Sequence, residues 1–186
     1  MIVVATPARD TVQATFAYDL AQLIKYSPDV VFTIALGSII PNNRTQLVTQ
    51  SLNAGADYIL FIDSDMRFPQ NTVSQLITQD KQIIGANCKQ RTKNEWTARK
   101  AGKFISSDDK FGVEQVDTLG FGVTLIKAEV FEKIAHPWFE MTYDPIVGKL
   151  IGEDVDFCTK ARIAGFDIFV DHALSHEVKH TGSIEL

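Results

Sequence analysis

Residues 58–68, YILFIDSDMRF, decide the fold of this 186-residue chain. The run at residues 58–62 is short and apolar throughout, which predicts a strand buried on both faces of a parallel sheet. It leads directly into Asp63-Ser64-Asp65. Ligands bind beyond the carboxyl ends of the strands in an open parallel sheet, so both carboxylates could reach one hard cation there. The alternative is ordinary turn chemistry, because Asp and Ser favour turns.

Strand and helix patterns alternate on both sides of this stretch. Apolar runs at residues 2–5, 30–36 and 83–86 predict three more strands, and the segments between the strands have helical spacing. The order β-α-β-α-β-α-β predicts an α/β fold with a mainly parallel central sheet and a Rossmann-like half over residues 1–90. The rhythm then changes, so residues 91–186 are expected to form a smaller mixed half of the same single domain.

The composition excludes several classes of protein. The chain is 45% hydrophobic and 22% charged, as is ordinary for a globular domain. Its net charge of −5 gives no general case for binding nucleic acid. No apolar run approaches the ~20 residues of a membrane-spanning helix, and the N-terminus lacks the pattern of a signal peptide. Two isolated cysteines fit a reducing compartment, so we expect a cytoplasmic protein, the cytoplasm of a virus-infected host included.

Residues 88–103 are locally basic. Six Lys and Arg residues stand there against Glu95 alone. Two of them, Lys89 and Arg91, directly follow the fourth predicted strand, near the edge where the carboxylates are expected. A loop of this kind could close over a diphosphate, and a solvated surface loop is the alternative.

A second acidic pair, Glu153-Asp154, follows Gly152 at the start of a predicted helix. Acidic residues also cap helices without any catalytic role, which is the alternative here. Two glycines in a predicted strand over residues 119–126 and two histidines after the last predicted strand complete the pattern: Gly120, Gly122, His176 and His180.

In this order the motifs resemble those of GT-A-fold glycosyltransferases that use nucleoside diphosphate sugars, close to family 2. The resemblance rests on YILFIDSDMRF at 58–68, GFGVTLI at 120–126, GEDVDF at 152–157 and His180-Thr181-Gly182. It spans nearly the whole chain, and it implies a single GT-A-type domain with a nucleotide-sugar-binding half followed by an acceptor half.

Three other interpretations stay open. Phosphatases of the haloacid dehalogenase type also place Asp-x-Asp after a strand, but they use the first strand and usually carry Thr or Val where this chain has Arg67. A sugar nucleotidyltransferase would need a glycine-rich loop after the first strand, where Thr6-Pro7-Ala8-Arg9 has no glycine. A non-catalytic nucleotide-sugar binding module would show broken acidic motifs, whereas both motifs are intact here.

The resemblance implies a metal-dependent enzyme that binds Mn²⁺ or Mg²⁺ with a nucleoside diphosphate sugar, a UDP-sugar by default. The implied metal ligands are Asp65, His180 and Asp63, with His176 as the alternative to His180 and the ribose as an alternative partner of Asp63. The residues implied in donor binding are Thr6, Pro7, Arg9, Arg44, Asp63, Ser64, Asp65, Lys89, Arg91, Gly120 and Gly122.

The resemblance also implies transfer to a hydroxyl of a saccharide or glycoconjugate acceptor, by inversion, with retention as the alternative. Asp154 is then the general base, because a sugar hydroxyl is a very weak acid that must lose its proton as it attacks. Glu153 is expected to bind acceptor hydroxyls or, alternatively, to be the base. Four aromatic residues are expected either to stack on acceptor sugars or to pack in the core: Trp96, Trp138, Phe139 and Tyr143.

Overall fold

The computed structural model describes residues 1–90, 95–146 and 148–181. The helices in these ranges are α1 Ala14–Tyr26, α2 Ile40–Asn53, α3 Thr72–Ile77, α4 Ala128–Lys133, α5 Glu153–Ile163 and α6 His172–Glu177. The strands are β1 Ile2–Ala8, β2 Val30–Leu36, β3 Tyr58–Ile62, β4 Met66–Arg67, β5 Ile83–Gly85, β6 Arg99–Lys100, β7 Lys103–Phe104, β8 Val113–Val116, β9 Val123–Lys127, β10 Thr142–Asp144, β11 Lys149–Ile151, β12 Ile168–Asp171 and β13 Lys179–His180.

One seven-stranded sheet organises the molecule, in the order β2-β1-β3-β9-β5-β12-β8. Strands β1, β2 and β3 are parallel neighbours, and β5 and β12 are also parallel to each other. Only β9 and β8 run against the rest. The protein therefore has a single α/β domain of the Rossmann-like GT-A type with a mostly parallel central sheet, as predicted.

Alternating residues of the strands feed two hydrophobic cores, one on each face of the sheet. Ala5 and Phe61 point to the face that α2 covers, where Leu47 belongs to the same cluster. Val4 and Leu60 point to the opposite face, which α1 covers with Phe16, Leu20 and Leu23. Both faces of the central strands are buried, which explains why the strands are continuous apolar runs rather than alternating ones.

The order of the strands in the sheet is not their order along the chain. The strand predicted over residues 119–126 begins at Val123, and it lies between β3 and β5, antiparallel to both. Gly85 on β5 permits this close fit, because a Cβ there would lie 2.4 Å from the Val123 carbonyl oxygen. Apolar runs predict that a strand is buried, but not which strand lies beside it.

We find no helix in the described ranges that is both long enough and apolar enough to span a membrane.

Candidate functional site

A buried arginine gathers acidic residues from distant parts of the chain. Arg44, in the first turns of α2, donates from Nη2 to Asp63 Oδ1 at 2.9 Å and from Nε to Glu153 Oε1 at 3.3 Å. Asp63 directly follows β3, and Glu153 opens α5. The Arg44 side chain is only 3% exposed, against 29% for Asp63 and 16% for Glu153. The two acidic motifs of the sequence therefore meet at the carboxyl edge of the parallel strands.

Aromatic rings flank the Arg44 guanidinium. Its carbon lies 5.3 Å from the centroid of the Phe61 ring and 5.4 Å from that of Phe121, within the range of cation–π attraction. Arg44 Nη1 has no hydrogen-bond partner among the described residues. Burial opposes the charge of Arg44, but the nearby carboxylates outweigh it and raise the pKa of its guanidinium.

The carboxylates of this cluster outnumber its single buried cation. Burial raises the pKa of Asp63, and the attraction of Arg44 offsets this only in part. Burial also raises the pKa of Asp154, and the neighbouring charge of Glu153 raises it further. A carboxylate whose pKa is raised towards neutrality is a better proton acceptor, so Asp154 has the electrostatics that a general base needs.

Gly152 leaves room for the Asp154 carboxylate. Asp154 Oδ1 accepts the Val155 N–H at 2.7 Å, and it lies 2.8 Å from where a Cβ of Gly152 would stand. The φ of Gly152 is −69°, which any residue can adopt. The glycine is therefore required by space and not by its backbone conformation.

Replacing Gly152 with alanine is expected to displace the Asp154 carboxylate, because the added methyl group would occupy its place. With Asp154 as the general base that the resemblance implies, kcat should fall about 10- to 100-fold, since small displacements of a catalytic group have effects of this size. Donor affinity and thermal stability should stay at wild-type values. Steady-state kinetics with donor titration tests this, and an equal loss of donor affinity would contradict it.

The Asp63-Ser64-Asp65 loop is held by three other segments. The Asp63 N–H donates to the Gly122 carbonyl at 3.0 Å, and the Ser64 carbonyl accepts from Gln13 at 3.3 Å. The Asp65 carbonyl accepts the Thr181 N–H at 2.6 Å, beside the pairing of β13 with β4. The acidic loop is thereby joined to the start of α1, the turn before β9 and the C-terminal strand.

The two histidines occupy different environments. His180 is paired with Met66 across β13 and β4, and its positive form would lower the pKa of Asp63. Its Nδ1 lies 2.7 Å from the Lys89 carbonyl oxygen, which can only accept, so Nδ1 carries the proton. His176 instead lies on α6, where its ring stacks on Phe111 at 5.2 Å. The geometry therefore favours His180 over His176 as the histidine that lies beside the Asp63-Ser64-Asp65 loop.

The side chains at this site could hold a divalent cation only if a bound ligand supplied the remaining coordinating atoms. No three His, Cys, Asp or Glu side chains within residues 1–90, 95–146 and 148–181 are arranged to hold a metal ion by themselves. The contact of His180 with a backbone carbonyl is the arrangement usual for a metal-binding histidine. Mg²⁺ and Mn²⁺ commonly take one or two carboxylates and complete their shell with phosphate oxygens and water. Asp65 and His180 have the ligand chemistry for such a role, and Asp63 forms an ion pair with Arg44.

Other residues predicted to bind the donor lie near the same edge. Thr6 and Pro7 are buried at the end of β1, and Thr6 Oγ1 has no partner among the described residues. Arg9 follows β1 and is exposed. Lys89 contacts Asp108 at 3.2 Å and lies over the Trp96 ring. Arg91 and Gly182 are outside the described residues.

The two glycines predicted to approach the donor sugar have a packing role in the structure. A Cβ at Gly120 would lie 3.1 Å from Thr97 Oγ1, and a Cβ at Gly122 would lie 3.2 Å from Cys88 Sγ. Internal crowding accounts for both positions. Their part in donor binding stays a prediction.

The four aromatic residues expected at an acceptor site differ in their exposure to solvent. Trp138 and Phe139 are 6% and 3% exposed in the hydrophobic core, so they are not available to stack on a sugar. Trp96 is bound to Asp108 through its indole N–H at 3.1 Å. Tyr143 is 65% exposed and is the one that can meet a ligand as it stands.

Sequence reasoning missed Asn43, which positions Arg44. Its side-chain amide donates to the Gly37 carbonyl at 2.9 Å and to the Ala8 carbonyl at 3.2 Å, joining α2 to the ends of β1 and β2. A Cβ at Gly37 would lie 2.7 Å from Asn43 Oδ1, so the two residues depend on each other. The signal in the sequence was an asparagine next to an arginine at the start of a predicted helix.

Two surface clefts lie away from the acidic cluster. One, of about 490 Å³, is lined by Lys100, Gln115, Val116, Asp117, Arg162, Gly165, Phe166, Asp167 and Ile168. The other, of about 430 Å³, is lined by Tyr18, Asp19, Gln22, Arg67, Phe68, Pro69, Gln70 and Glu177. Neither cleft contains a predicted site residue. The candidate site is therefore indicated by the charged side chains that meet around Arg44 and not by a cleft.

Solved structures share this fold. A197 from STIV is 18% identical, with a TM-score of 0.61 over 91% of this chain and 80% of A197. S. aureus TarS 1–349 is 11% identical, with a TM-score of 0.52 over 97% of this chain, which spans 60% of the TarS chain. Likeness at this identity establishes the fold and not the activity.

Looser neighbours, with TM-scores below 0.5, include a glycosyltransferase involved in the glycosylation of the major capsid of PBCV-1, as well as UDP-glucose pyrophosphorylase. No family model and no curated protein sequence matches this chain.

Proposed function

We propose that this protein is a glycosyltransferase that moves a sugar from a nucleoside diphosphate sugar to a hydroxyl of a saccharide or glycoconjugate. The observation that carries the proposal is the buried Arg44, which joins Asp63 of the first acidic motif to Glu153 of the second. A structural cap at the start of α5 would not need a buried cation from α2. The GT-A-type fold supports the same proposal.

The acceptor side of the reaction is assigned to α5. Asp154 takes the proton from the attacking hydroxyl, because its carboxylate is partly buried and its pKa is raised. Glu153, with one oxygen held by Arg44, keeps the other for an acceptor hydroxyl. Attack from the face of Asp154 gives inversion at the anomeric carbon.

The donor side is assigned to the acidic loop. Asp65 and His180 are the residues that would hold Mn²⁺ or Mg²⁺, while Asp63 is bound to Arg44. A bound ion would supply positive charge against the leaving diphosphate. Thr6, Pro7 and Ser64 would line the nucleotide, and Arg9 and Lys89 would contact phosphate or base.

Calorimetric titration with UDP, GDP and dTDP, each with Mn²⁺ and again with EDTA, tests the proposal. One nucleotide is expected to bind with Mn²⁺ and at least about tenfold more weakly in EDTA, a difference of roughly 1.4 kcal/mol. Asp65→Asn should remove the metal-dependent part.

Asp29→Asn is the matched control, because Asp29 precedes β2 at the opposite edge of the sheet. It should bind like the wild type. If a folded protein bound none of the three nucleotides, the proposal would be wrong.

A further inference from the structure

The ribbon formed by β10 and β11 exposes apolar side chains beside the proposed base. Tyr143 on β10 is paired with Leu150 on β11, and the two are 65% and 58% exposed. Met141, two residues before Tyr143, is 52% exposed. Tyr143 and Leu150 share one face of the ribbon, and Met141 directly precedes β10. Because residues two apart share a face in an extended chain, we assign Met141 to the same side and call these three side chains the ribbon face.

The opposite side of the ribbon carries three polar residues and one apolar residue, Ile151. Asp144 is paired with Lys149 across the strands, and Thr142 is paired with Ile151. The strongly exposed apolar residues of the two strands therefore lie on one side of the ribbon, and the other side is mainly polar. A grouped set of large exposed apolar residues is the usual mark of a binding surface.

The ribbon face runs towards Asp154. β11 ends at Ile151, and Gly152 continues the alternation from Leu150. The Asp154 carboxylate lies against Gly152, 2.8 Å from the place of its missing Cβ. An acceptor whose hydroxyl meets Asp154 would therefore extend over Leu150 and Tyr143. This step rests on the proposed function.

We propose that the ribbon face binds the apolar aglycone of an amphiphilic acceptor glycoside. Three side chains are far fewer than the roughly 20–30 residues that each partner contributes to a stable protein interface. The chain carries a net charge of −5, which disfavours an anionic membrane surface. A single alkyl or aryl group joined to a sugar is an apolar group small enough for a face of three side chains, next to the segment that carries Asp154.

Binding of n-octyl β-D-glucopyranoside and methyl β-D-glucopyranoside, measured by NMR titration below the micellar concentration, tests the proposal without any need for activity. The wild type should bind the octyl glycoside about tenfold more tightly or better, because the longer chain buries more apolar surface. Tyr143→Ser/Leu150→Ser should abolish this preference. Ile163→Ser is the control, since Ile163 is 82% exposed at the end of α5 and should not affect it.

Several outcomes would overturn the proposal. One is that the wild type binds both glycosides with equal affinity. Another is that the double variant still binds the octyl glycoside more tightly than the methyl glycoside. A third is that the double variant loses affinity for both glycosides equally, which would assign the face to the sugar ring. Co-sedimentation with phosphatidylcholine vesicles that depends on Tyr143 and Leu150 would make a bilayer the occupant instead. The nucleotide titration is repeated on the double variant and should match the wild type. If the wild type binds no nucleotide, the proposed function is wrong, whatever the glycoside titration gives. The preference for the octyl glycoside and its loss in the double variant then decide the proposal about the ribbon face separately.

Discussion

Replacing Arg44 with methionine is expected to lower the free energy of unfolding by about 3–5 kcal/mol at neutral pH, because it leaves buried carboxylates without their cation. Arg44 is 3% exposed and binds both Asp63 and Glu153. Methionine keeps much of the volume, so the loss reports charge more than packing. Urea denaturation of both proteins measures it.

The same variant should recover stability as the pH falls. Burial already raises the pKa of Asp63 and Asp154, and loss of the guanidinium would raise both further. Carboxyl groups with a raised folded-state pKa favour the folded chain when protonated, so their contribution is present at low pH and is lost as the pH rises through that pKa. The deficit of Arg44→Met should therefore be smaller in acid than at neutral pH.

Arg162→Met is the matched control for this prediction. Arg162 pairs with Asp117 at 3.1 Å, but its side chain is 51% exposed. Pairs of this kind contribute about 0–1 kcal/mol. If Arg44→Met lost no more stability than Arg162→Met, the acidic cluster would not depend on its arginine.

Asp154→Asn is expected to lower the rate of sugar transfer about 10²- to 10⁴-fold, the usual contribution of a general base, while donor binding stays intact. Asparagine has nearly the same shape but cannot accept the proton. In the wild type the rate should fall on acidification through the raised pKa of Asp154. Initial rates across pH, with donor titration of the variant, provide the measurement.

Asp156→Asn, on the same turn of α5, is the control for the loss of a negative charge. Asp156 Oδ2 accepts the N–H of Glu140 at 3.2 Å and contacts Lys160 at 2.8 Å, so its partners are structural. Its transfer rate should stay close to that of the wild type. Wild-type activity in Asp154→Asn would show that the base is another residue.

Part of the site was predictable because the strands that carry it are continuous apolar runs. Polar residues at the ends of such runs lie at the carboxyl edge of the sheet, which is where the structure has Thr6 and Asp63. Their part in binding the donor stays a prediction. The acidic pair after Gly152 also predicts a helix start there, and α5 begins at Glu153. The roles of Asp65 and His180 stay predictions, because their test needs a bound metal and donor.

The remaining features depend on tertiary contacts that leave no local pattern. A part of Arg44 in donor binding stays a prediction, but the sequence did not indicate that its Nη2 and Nε bind Asp63 and Glu153. Neither partner is near it in the sequence. Trp138 and Phe139 have the residue types of a sugar platform, and only packing decides that they fill the core.

The position of β9 between β3 and β5 has a consequence for how the chain is made. A nascent chain that has left the ribosome only as far as β5 holds two strands whose facing edges have no partner, because both pair with residues 123–127. Exposed strand edges invite pairing with other chains. The central sheet cannot be completed until β9 has been synthesised. The growing chain is therefore most prone to pair wrongly with other chains in the interval between the synthesis of β5 and that of β9.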